Sequence, residues 1–232
     1  MKILILGANG FTGRRILKRL APSHQVMACS LHPDILPEEG YQFQTLNMVD
    51  ADTTDSLLKD FQPEVIINAS ALSVVDYCEQ HPEEAYALNV SAVKHLAEYS
   101  QANSCRLIHL STDFVFDGTA SEAYKETDSP NPVNYYGKTK RWSEEAIEQT
   151  CTNYAIARVE VVYGKPFPGQ HGNIVHLVKS RLENGQGIRV VSDQFRTPTW
   201  VEDIARAIES LLSEKHQGID HICGGETLSV AD

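Results

Sequence analysis

The turn near the start of the chain constrains the fold most strongly, because it places three glycines between an apolar run and a segment of helical periodicity. In KILILGANGFTGRR, Gly7, Gly10 and Gly13 follow a GxxGxxG spacing. This spacing after a strand gives a tight turn, lets the backbone approach a pyrophosphate, and opens a helix whose unpaired N–H groups and dipole face the anion. The order of strand, loop and helix makes the motif more specific than the bare pattern. It predicts a dinucleotide-binding unit.

The rest of the chain alternates short apolar runs with longer segments of helical spacing. The predicted strands are residues 2–6, 25–29, 41–46, 65–70, 106–111 and 154–159. Nearly continuous apolar strands separated by helices require a parallel sheet that is covered on both faces. We therefore predict an α/β fold, a doubly wound parallel sheet (Rossmann) with a small C-terminal substrate lobe.

The alternation loosens after about residue 160, where the remaining pattern includes a short predicted strand at 188–191. We predict that residues 1–160 form an NAD(P)-binding Rossmann domain that carries the catalytic residues. Residues 161–232 are predicted to form a small substrate-binding lobe, interleaved with the first domain. Ser229 has the character of an N-cap for a helix that has barely begun, so we expect this lobe to be truncated at its C-terminus.

Charge and cysteine content exclude several classes of protein. The formal net charge of -11 argues against binding to nucleic acid or to an anionic membrane surface. The five cysteines lie far apart and never as CxxC, so no disulfide framework or zinc site is indicated, and we predict no metal site.

The apolar run at the N-terminus is broken at Gly7, too early for a signal peptide, and no later run reaches membrane-spanning length. We expect a cytoplasmic protein.

The region after the second predicted strand bears on the choice of cofactor. An NAD-preferring site places an acidic residue there to hold the ribose 2′-hydroxyl, but ACSLH at 28–32 contains none. Arg14, Arg15 or His32 are instead available to a 2′-phosphate. This favours NADP(H), with NAD(H) as the alternative.

The stretch VNYYGKTKR, residues 133–141, holds two tyrosines and two lysines. A tyrosine phenol exchanges protons poorly at neutral pH unless a nearby cation stabilises its anion. A lysine four residues further along a helix lies on the same face. Tyr136 and Lys140 have this spacing, whereas Thr139 is the residue four after Tyr135. We therefore predict Tyr136 and Lys140 as an acid–base pair.

Carbonyl reduction also needs a hydrogen-bond donor for the developing alkoxide. In HLSTDFVF, residues 109–116, a predicted strand ends with the adjacent hydroxyls of Ser111 and Thr112. They fall at the carboxyl edge of the sheet, where doubly wound folds bind ligands. Together with the glycine turn and the Tyr–Lys pair, they predict a carbonyl reductase.

With these elements in place, the chain resembles the extended short-chain dehydrogenase/reductase superfamily and, within it, the dTDP-4-dehydrorhamnose reductase group. The resemblance covers nearly all 232 residues. It rests on GANGFTG, NASALSVVDYCEQHPEEAYALNV (68–90), STDFVFDG (111–118), NYYGKTKRWSE (134–144) and SDQFRTPTWVEDIA (192–205).

The resemblance implies that Thr112, Tyr136 and Lys140 are catalytic. Tyr136 would protonate the sugar C4 oxygen as the nicotinamide delivers hydride, Lys140 would lower the pKa of Tyr136 and bind the nicotinamide ribose, and Thr112 would orient the carbonyl. Besides Tyr136 and Lys140, the implied cofactor-binding residues are Gly7, Asn9, Gly10, Phe11, Thr12, Gly13, Arg14, Asn47, Met48, Ala69, Ser70 and Ala71.

On the substrate side the chain departs from the group. The implied substrate-binding residues are Ser73, Val75, Thr112, Phe114, Val161, Asn173 and Arg196. Phe114 stands where the group carries a tyrosine, Glu160 and Val161 where it carries Ser-Trp, and Arg196 where it carries a small residue. Asn47, near the adenine, stands where an aspartate is common. The core chemistry is thus predicted to be retained and the sugar pocket to be altered.

The resemblance implies an NAD(P)H-dependent reductase of a nucleotide-linked 4-keto-6-deoxy sugar, with the nucleotide sugar as its partner and a homodimer as a family-level expectation. One alternative is a cofactor-binding regulatory subunit similar to the β subunit of methionine adenosyltransferase. The other is a nucleotide-sugar epimerase or dehydratase, which would retain its nicotinamide through the cycle.

Overall fold

The fold is built on one central parallel sheet. The computed structural model describes residues 1–170, 172–213, 216–229 and 231. Within them, seven strands form the main sheet in the order β3-β2-β1-β4-β5-β6-β10, and neighbouring strands pair in parallel. The strands are β1 Lys2–Leu6, β2 Gln25–Ser30, β3 Gln42–Thr45, β4 Val65–Asn68, β5 Arg106–Thr112, β6 Tyr154–Val159, β7 Val162–Tyr163, β8 Phe195–Arg196, β9 Thr199–Trp200, β10 Gly218–Ile222 and β11 Leu228–Ser229. The order of the first six is that of a Rossmann sheet.

Helices cover both faces of this sheet. They are α1 Phe11–Leu20, α2 Ala51–Phe61, α3 Val75–Gln80, α4 Pro82–Tyr86, α5 Ala92–Asn103, α6 Tyr135–Thr150, α7 Ile174–Glu183 and α8 Val201–Ser210. A π-helical segment, Ala87–Ser91, joins α4 to α5, and a short 3-10 turn, Asp113–Val115, follows β5. Alternate residues of the same strand enter opposite core layers: Ile3 and Ile5 pack with α1 and α8, whereas Leu4 and Leu6 pack with α2 and α5.

The first six strands of the main sheet follow the sequence prediction, with a short difference at β4, whereas the seventh strand, β10, was not predicted. The strand predicted at 65–70 ends at Asn68, whose side-chain Oδ1 accepts a hydrogen bond from Ser70 N at 3.0 Å. Such a local side-chain bond turns the backbone out of the sheet. Residues 69 and 70 are thereby placed beyond the strand end, facing the glycine turn.

The described part of the chain after residue 160 adds one strand to the main sheet and forms two small two-stranded sheets, β7 with β9 and β8 with β11. Ser229 therefore lies in a strand and not, as the sequence had suggested, at the start of a helix. β10 pairs with β6, and α8 packs on α1 through Ile204 and Ile208. The strand predicted at 188–191 is wrong: these residues are irregular, and Val190 and Val191 are exposed, so no neighbouring strand satisfies their backbone there. The proposed division at residue 160 stays a prediction. Among the described helices, none combines the length and apolar character that crossing a bilayer requires.

Candidate active site

The glycine turn is packed so closely that its glycines cannot carry side chains. Gly7 has a φ of +79°, and a Cβ at this position would lie 2.7 Å from the backbone nitrogen of Ser70. A Cβ on Gly13 would lie 2.1 Å from the carbonyl oxygen of Gly7. The turn therefore lies directly against the segment that follows β4, which is the arrangement a dinucleotide-binding unit requires.

The first turn of α1 suits an anion. Its N-cap, Gly10, offers no side-chain acceptor to the free N–H groups of the helix, and the first turn contains no acidic residue. The sequence-predicted residues Phe11 and Thr12 supply N–H groups of this turn. Free N–H groups at a helix N-terminus bind phosphate, so the residues present fit the pyrophosphate of a dinucleotide cofactor.

Replacing Gly13 by alanine is expected to damage both the fold and cofactor binding. The added Cβ would overlap the Gly7 carbonyl, which cannot yield without moving the turn, and overpacking of this kind costs about 1–3 kcal/mol. Urea unfolding and NADPH titration would measure the two effects. Gly187→Ala is the matched control, because nothing lies near its Cβ position. If the two variants behaved alike in both assays, the close packing assigned to Gly13 would be contradicted.

Arg14 lies buried in a polar cluster beside this turn, rather than free for a phosphate. Its guanidinium is paired with Asp34 and lies 2.9 Å from Asn9 Oδ1 and 3.0 Å from the hydroxyl of Tyr41. The Tyr41 hydroxyl in turn donates to Asp34 at 2.7 Å. Burial alone would raise the pKa of Asp34, but hydrogen bonds from Arg14, the Leu36 N–H and Tyr41 together hold it below its ordinary value. An acidic residue does therefore follow β2: it is Asp34, which lies just beyond the stretch 28–32 that was searched in the sequence.

The other two side chains proposed for a 2′-phosphate, those of Arg15 and His32, differ in their availability. The guanidinium of Arg15 lies 3.8 Å above the ring of Phe167 and 3.2 Å from a Glu202 carboxylate oxygen. The side chain of His32 is exposed, while its carbonyl accepts a hydrogen bond from Asn9. A 2′-phosphate would therefore compete with carboxylates for both arginines.

The remaining residues predicted to bind the cofactor line the same edge of the sheet. Asn47 is exposed after β3, whereas Met48 is buried among core residues. Ala69, Ser70 and Ala71 are half-buried just beyond β4.

Helix α6 presents the predicted acid–base pair to the protein interior. It begins at Tyr135, and the side chain of its N-cap, Asn134, accepts a hydrogen bond from Gly137 N at 2.7 Å. Tyr136 and Lys140 are buried on one face, while Lys138 is exposed. The side chains of Tyr136 and Lys140 thus both face the protein interior, on the same side of the helix, as their spacing of four residues predicts.

Tyr136 and Thr112 meet at the carboxyl end of β5. Burial raises the pKa of Tyr136 above its ordinary value, and a hydrogen bond with the Thr112 side chain opposes that rise. Thr112 Oγ1 also accepts from Phe114 N at 3.3 Å and donates to Asp113 at 3.1 Å. The structure therefore brings into contact the Tyr136 phenol and the Thr112 hydroxyl, which the sequence analysis assigned to the same site.

Lys140 lies deeper than Tyr136 and contacts β5. Its Nζ donates to the carbonyl of Leu110 at 2.7 Å and lies 2.9 Å from Nε2 of His109. Burial lowers the pKa of Lys140 to about 7, against the opposing charge of Glu144. The amine is thus directed towards the strand, and its ammonium form is disfavoured.

A charged cluster lies on the substrate side of Tyr136. Arg196 pairs with Asp113, lies 3.7 Å from a Glu160 carboxylate oxygen, and places its guanidinium 5.2 Å from the Phe114 ring centre. Burial raises the pKa of Asp113 to about 6, although the charge of Arg196 opposes the rise. The phenyl ring of Phe114 packs edge-on against Tyr136, with ring centres 5.8 Å apart. Three positions at which the sequence departs from the group, Phe114, Glu160 and Arg196, therefore lie together, next to the phenol that is predicted to be catalytic.

The other residues predicted to bind substrate are more dispersed. Ser73 is exposed and Val75 opens α3. Asn173 is the N-cap of α7 and donates to the carbonyl of Gly164 at 2.6 Å. Val161 adopts a φ of +35°, which β-branched residues rarely enter. Such backbone strain costs about 1–3 kcal/mol and clusters at functional sites; substrate binding by Val161 stays a prediction.

Several polar residues of the site were not found from the sequence. Asn68, His109 and Glu144 are fully buried behind Tyr136 and Lys140. His109 could have been found because a histidine is unusual within an apolar run such as RLIHLS. Glu144 could have been found because it lies four residues after Lys140, on the same face of the helix. Among the described residues, no group of three His, Cys, Asp or Glu side chains could hold a metal ion.

Comparison with known proteins gives matches along the whole chain. A family model described as the RmlD substrate binding domain matches residues 1–232. The dTDP-4-dehydrorhamnose reductase of Salmonella typhimurium is 32% identical over 237 residues, covering 100% of this chain and 75% of that protein. The methionine adenosyltransferase 2 subunit beta of Xenopus tropicalis is 34% identical over 239 residues, covering 98% and 68%. A crystal structure of dTDP-4-dehydrorhamnose reductase from Bacillus anthracis in complex with NADP has a TM-score of 0.84 and 26% identity, covering 98% of this chain and 76% of that chain.

Proposed function

Because the chain belongs to the RmlD substrate-binding domain family, we propose that it is an oxidoreductase that uses NADP(H) to reduce a nucleotide-linked 4-keto-6-deoxy sugar. The observation that carries the proposal is the contact between Tyr136 and Thr112 at the carboxyl end of β5, on the edge where the glycine turn also lies. The name of the Salmonella relative supports the substrate class, and the NADP complex of the Bacillus anthracis protein supports the cofactor. NAD(H) is the alternative cofactor, because Asp34 competes for Arg14.

The glycine turn and the first turn of α1 would hold the pyrophosphate, and the segment 69–71 would line the cofactor. Bound NADPH supplies the hydride that reduces the C4 carbonyl carbon. Tyr136 would donate its phenolic proton to the carbonyl oxygen, and Thr112 would hold that oxygen in place by a hydrogen bond. Because burial raises the pKa of Tyr136, the phenol stays protonated until an alkoxide develops. A cationic Lys140 would stabilise the resulting phenolate.

Arg196 would contribute to recognition of the nucleotide part. Its planar guanidinium suits the paired oxygens of a phosphate. Asp113 and Glu160 hold it beside Phe114 and Tyr136. A substrate phosphate would compete with these two carboxylates for the guanidinium, as a 2′-phosphate would for Arg14 and Arg15.

Oxidation of NADPH and NADH by the purified protein, in the presence of a panel of nucleotide 4-keto-6-deoxy sugars, tests the proposal. We expect stoichiometric cofactor oxidation with at least one keto sugar and none with the matched 4-hydroxy sugar. Net oxidation would also exclude an epimerase or dehydratase, which regenerates its cofactor within each cycle. Tight NADPH binding without turnover on any keto sugar would overturn the reductase proposal.

A regulatory subunit is the second proposal. Its support is the 34% identity with the methionine adenosyltransferase 2 subunit beta of Xenopus tropicalis, together with the carboxylate-paired Arg196 on the substrate side. Co-elution with a methionine adenosyltransferase catalytic chain, in constant stoichiometry during size-exclusion chromatography, would support it. Separate elution at micromolar concentrations of both chains would count against it.

A further inference from the structure

A buried chain of hydrogen bonds connects the cofactor-lining segment to the catalytic lysine. The backbone N–H of Ser70 donates to Asn68 Oδ1 at 3.0 Å, and Asn68 Nδ2 lies 3.1 Å from His109 Nδ1. On the other side of the ring, His109 Nε2 lies 2.9 Å from Lys140 Nζ. Asn68 and His109 are 0% exposed and Lys140 is 1% exposed, so water does not compete for these bonds.

The donors and acceptors in this chain determine which ring nitrogen of His109 carries the proton. A backbone N–H can only donate, so the Asn68 amide must face Ser70 with its oxygen. Its Nδ2 group then faces His109 and can only donate, which makes Nδ1 of the imidazole an acceptor. An imidazole whose Nδ1 accepts carries no proton there, so the ring is neutral and has a single N–H; burial, which lowers the pKa of His109 well below its ordinary value, agrees with this. That N–H is therefore on Nε2.

The Nε2–H of His109 has two neighbours that can accept it. One is Ser143 Oγ at 3.1 Å, whose own proton is donated to the carbonyl of Lys140 at 2.6 Å. The other is Lys140 Nζ, which accepts only as a neutral amine, because an ammonium has no lone pair. A neutral amine can accept from His109 and still donate to the Leu110 carbonyl. An ammonium would instead bring two N–H groups together between His109 and Lys140.

We propose that His109 is a positioning residue for the catalytic lysine: fixed as the Nε2–H tautomer by Asn68, it donates to the amine form of Lys140 and so sets the pH above which Lys140 loses its ammonium form. Its connection to Ser70 places the protonation of Lys140 under the control of the segment predicted to line the cofactor. The catalytic consequence of this assignment rests on the proposed function, whereas the tautomer itself does not.

The other polar and charged groups around Lys140 are consistent with this assignment. From its own helix, Glu144 favours the ammonium, but its carboxylate is already bonded to Arg158 of β6 at 2.8 Å and to Ser111 of β5 at 2.6 Å. Tyr136, also on α6, is an uncharged phenol at neutral pH, since its pKa is raised. Burial therefore prevails, and the pKa of Lys140 falls to about 7.

The tautomer can be measured directly on the intact protein. We expect the ¹⁵N spectrum of histidine-labelled protein to show a protonated Nε2 and an unprotonated Nδ1 for His109 at neutral pH, with the assignment made from the signals lost in His109→Gln. In Asn68→Asp, the new carboxylate would accept from the ring and move the proton to Nδ1. A wild-type spectrum with the proton on Nδ1, or with a charged ring, would overturn the proposal without bearing on the reductase assay.

Two variants are expected to change the pH dependence of turnover in opposite directions. Asn68→Asp makes Nε2 an acceptor, which favours the ammonium and should move the alkaline loss of activity to higher pH by about one pH unit. Ser143→Ala leaves Nε2–H with Lys140 alone and should move it to lower pH. In the His109→Gln background, Asn68→Asp should lose its effect, which separates the tautomer from the added charge. Equal shifts with and without the imidazole, or shifts of one sign for both variants, would contradict the role of His109.

Discussion

Replacing Tyr136 by phenylalanine is expected to lower kcat for sugar reduction by about 10²- to 10⁴-fold, the range expected for loss of a positioned proton donor. Tyr136 contacts Thr112 and lies inward on α6, so its hydroxyl is the group placed to protonate a carbonyl at the end of β5. The ring of phenylalanine would still pack edge-on against Phe114. NADPH affinity should therefore change little, and initial rates at saturating substrate, together with NADPH titration, would measure both quantities.

Tyr135→Phe is the matched control for this experiment. Tyr135 is the adjacent residue of the same helix, but its ring packs against Trp142, with ring centres 5.9 Å apart, on another face. We expect its kcat to stay within about twofold of the wild type, because surface substitutions away from a site have small effects. Comparable losses in the two variants would show that the helix start, and not the hydroxyl of Tyr136, is what the reaction needs.

The fold was largely predictable because it depends on local pattern. Most main-sheet strands up to β6 are rich in apolar residues, with β3, QFQT, as the exception, and the glycine turn begins the first crossover. The prediction of a strand at 188–191 was wrong because strand formation also depends on a partner. Four apolar-rich residues cannot show whether a partner strand lies beside them. Asn68 shows a further limit, since its side chain ends β4 by a bond that strand propensity does not include.

The residues of the candidate site also divide into those that local sequence spacing could identify and those that it could not. Tyr136 and Lys140 were found because helix geometry relates residues four apart. The end of a strand gave Ser111 and Thr112 together, and only the family resemblance chose Thr112 between them. His109 contacts residues 41 and 31 positions away, and Arg196 pairs with Asp113 across 83 positions, so no spacing rule connects them. Asp34 was missed because the chain continues past the end of β2 before returning to Arg14. What the sequence lacks, therefore, is the set of long-range polar contacts that adjust the catalytic groups.

Replacing Glu144 by glutamine is expected to destabilise the fold by about 3–5 kcal/mol, the cost of leaving one member of a buried ion pair unpaired. Glu144 accepts from Arg158 at 2.8 and 2.9 Å and from Ser111 at 2.6 Å, and its carboxylate is 0% exposed. Arg158 is 2% exposed, so its charge would stay buried beside a neutral amide that presents an N–H₂ group. Urea unfolding at neutral pH would measure the loss of stability.

Glu145→Gln gives the matched control, one residue further along α6. Its carboxylate is 41% exposed and pairs with Arg141 at 3.1 Å, so losing this charge should cost less than about 1 kcal/mol. Both variants change Glu to Gln on the same helix, so helix propensity changes equally in the two. A difference in their free energies of unfolding therefore reports the burial of the ion pair. If the two variants unfolded at the same urea concentration, the contact between α6 and strands β5 and β6 would not depend on Glu144. In that case the other contacts of α6 with β5, such as the hydrogen bond from Lys140 to the Leu110 carbonyl, would be enough to hold Tyr136 and Lys140 in place.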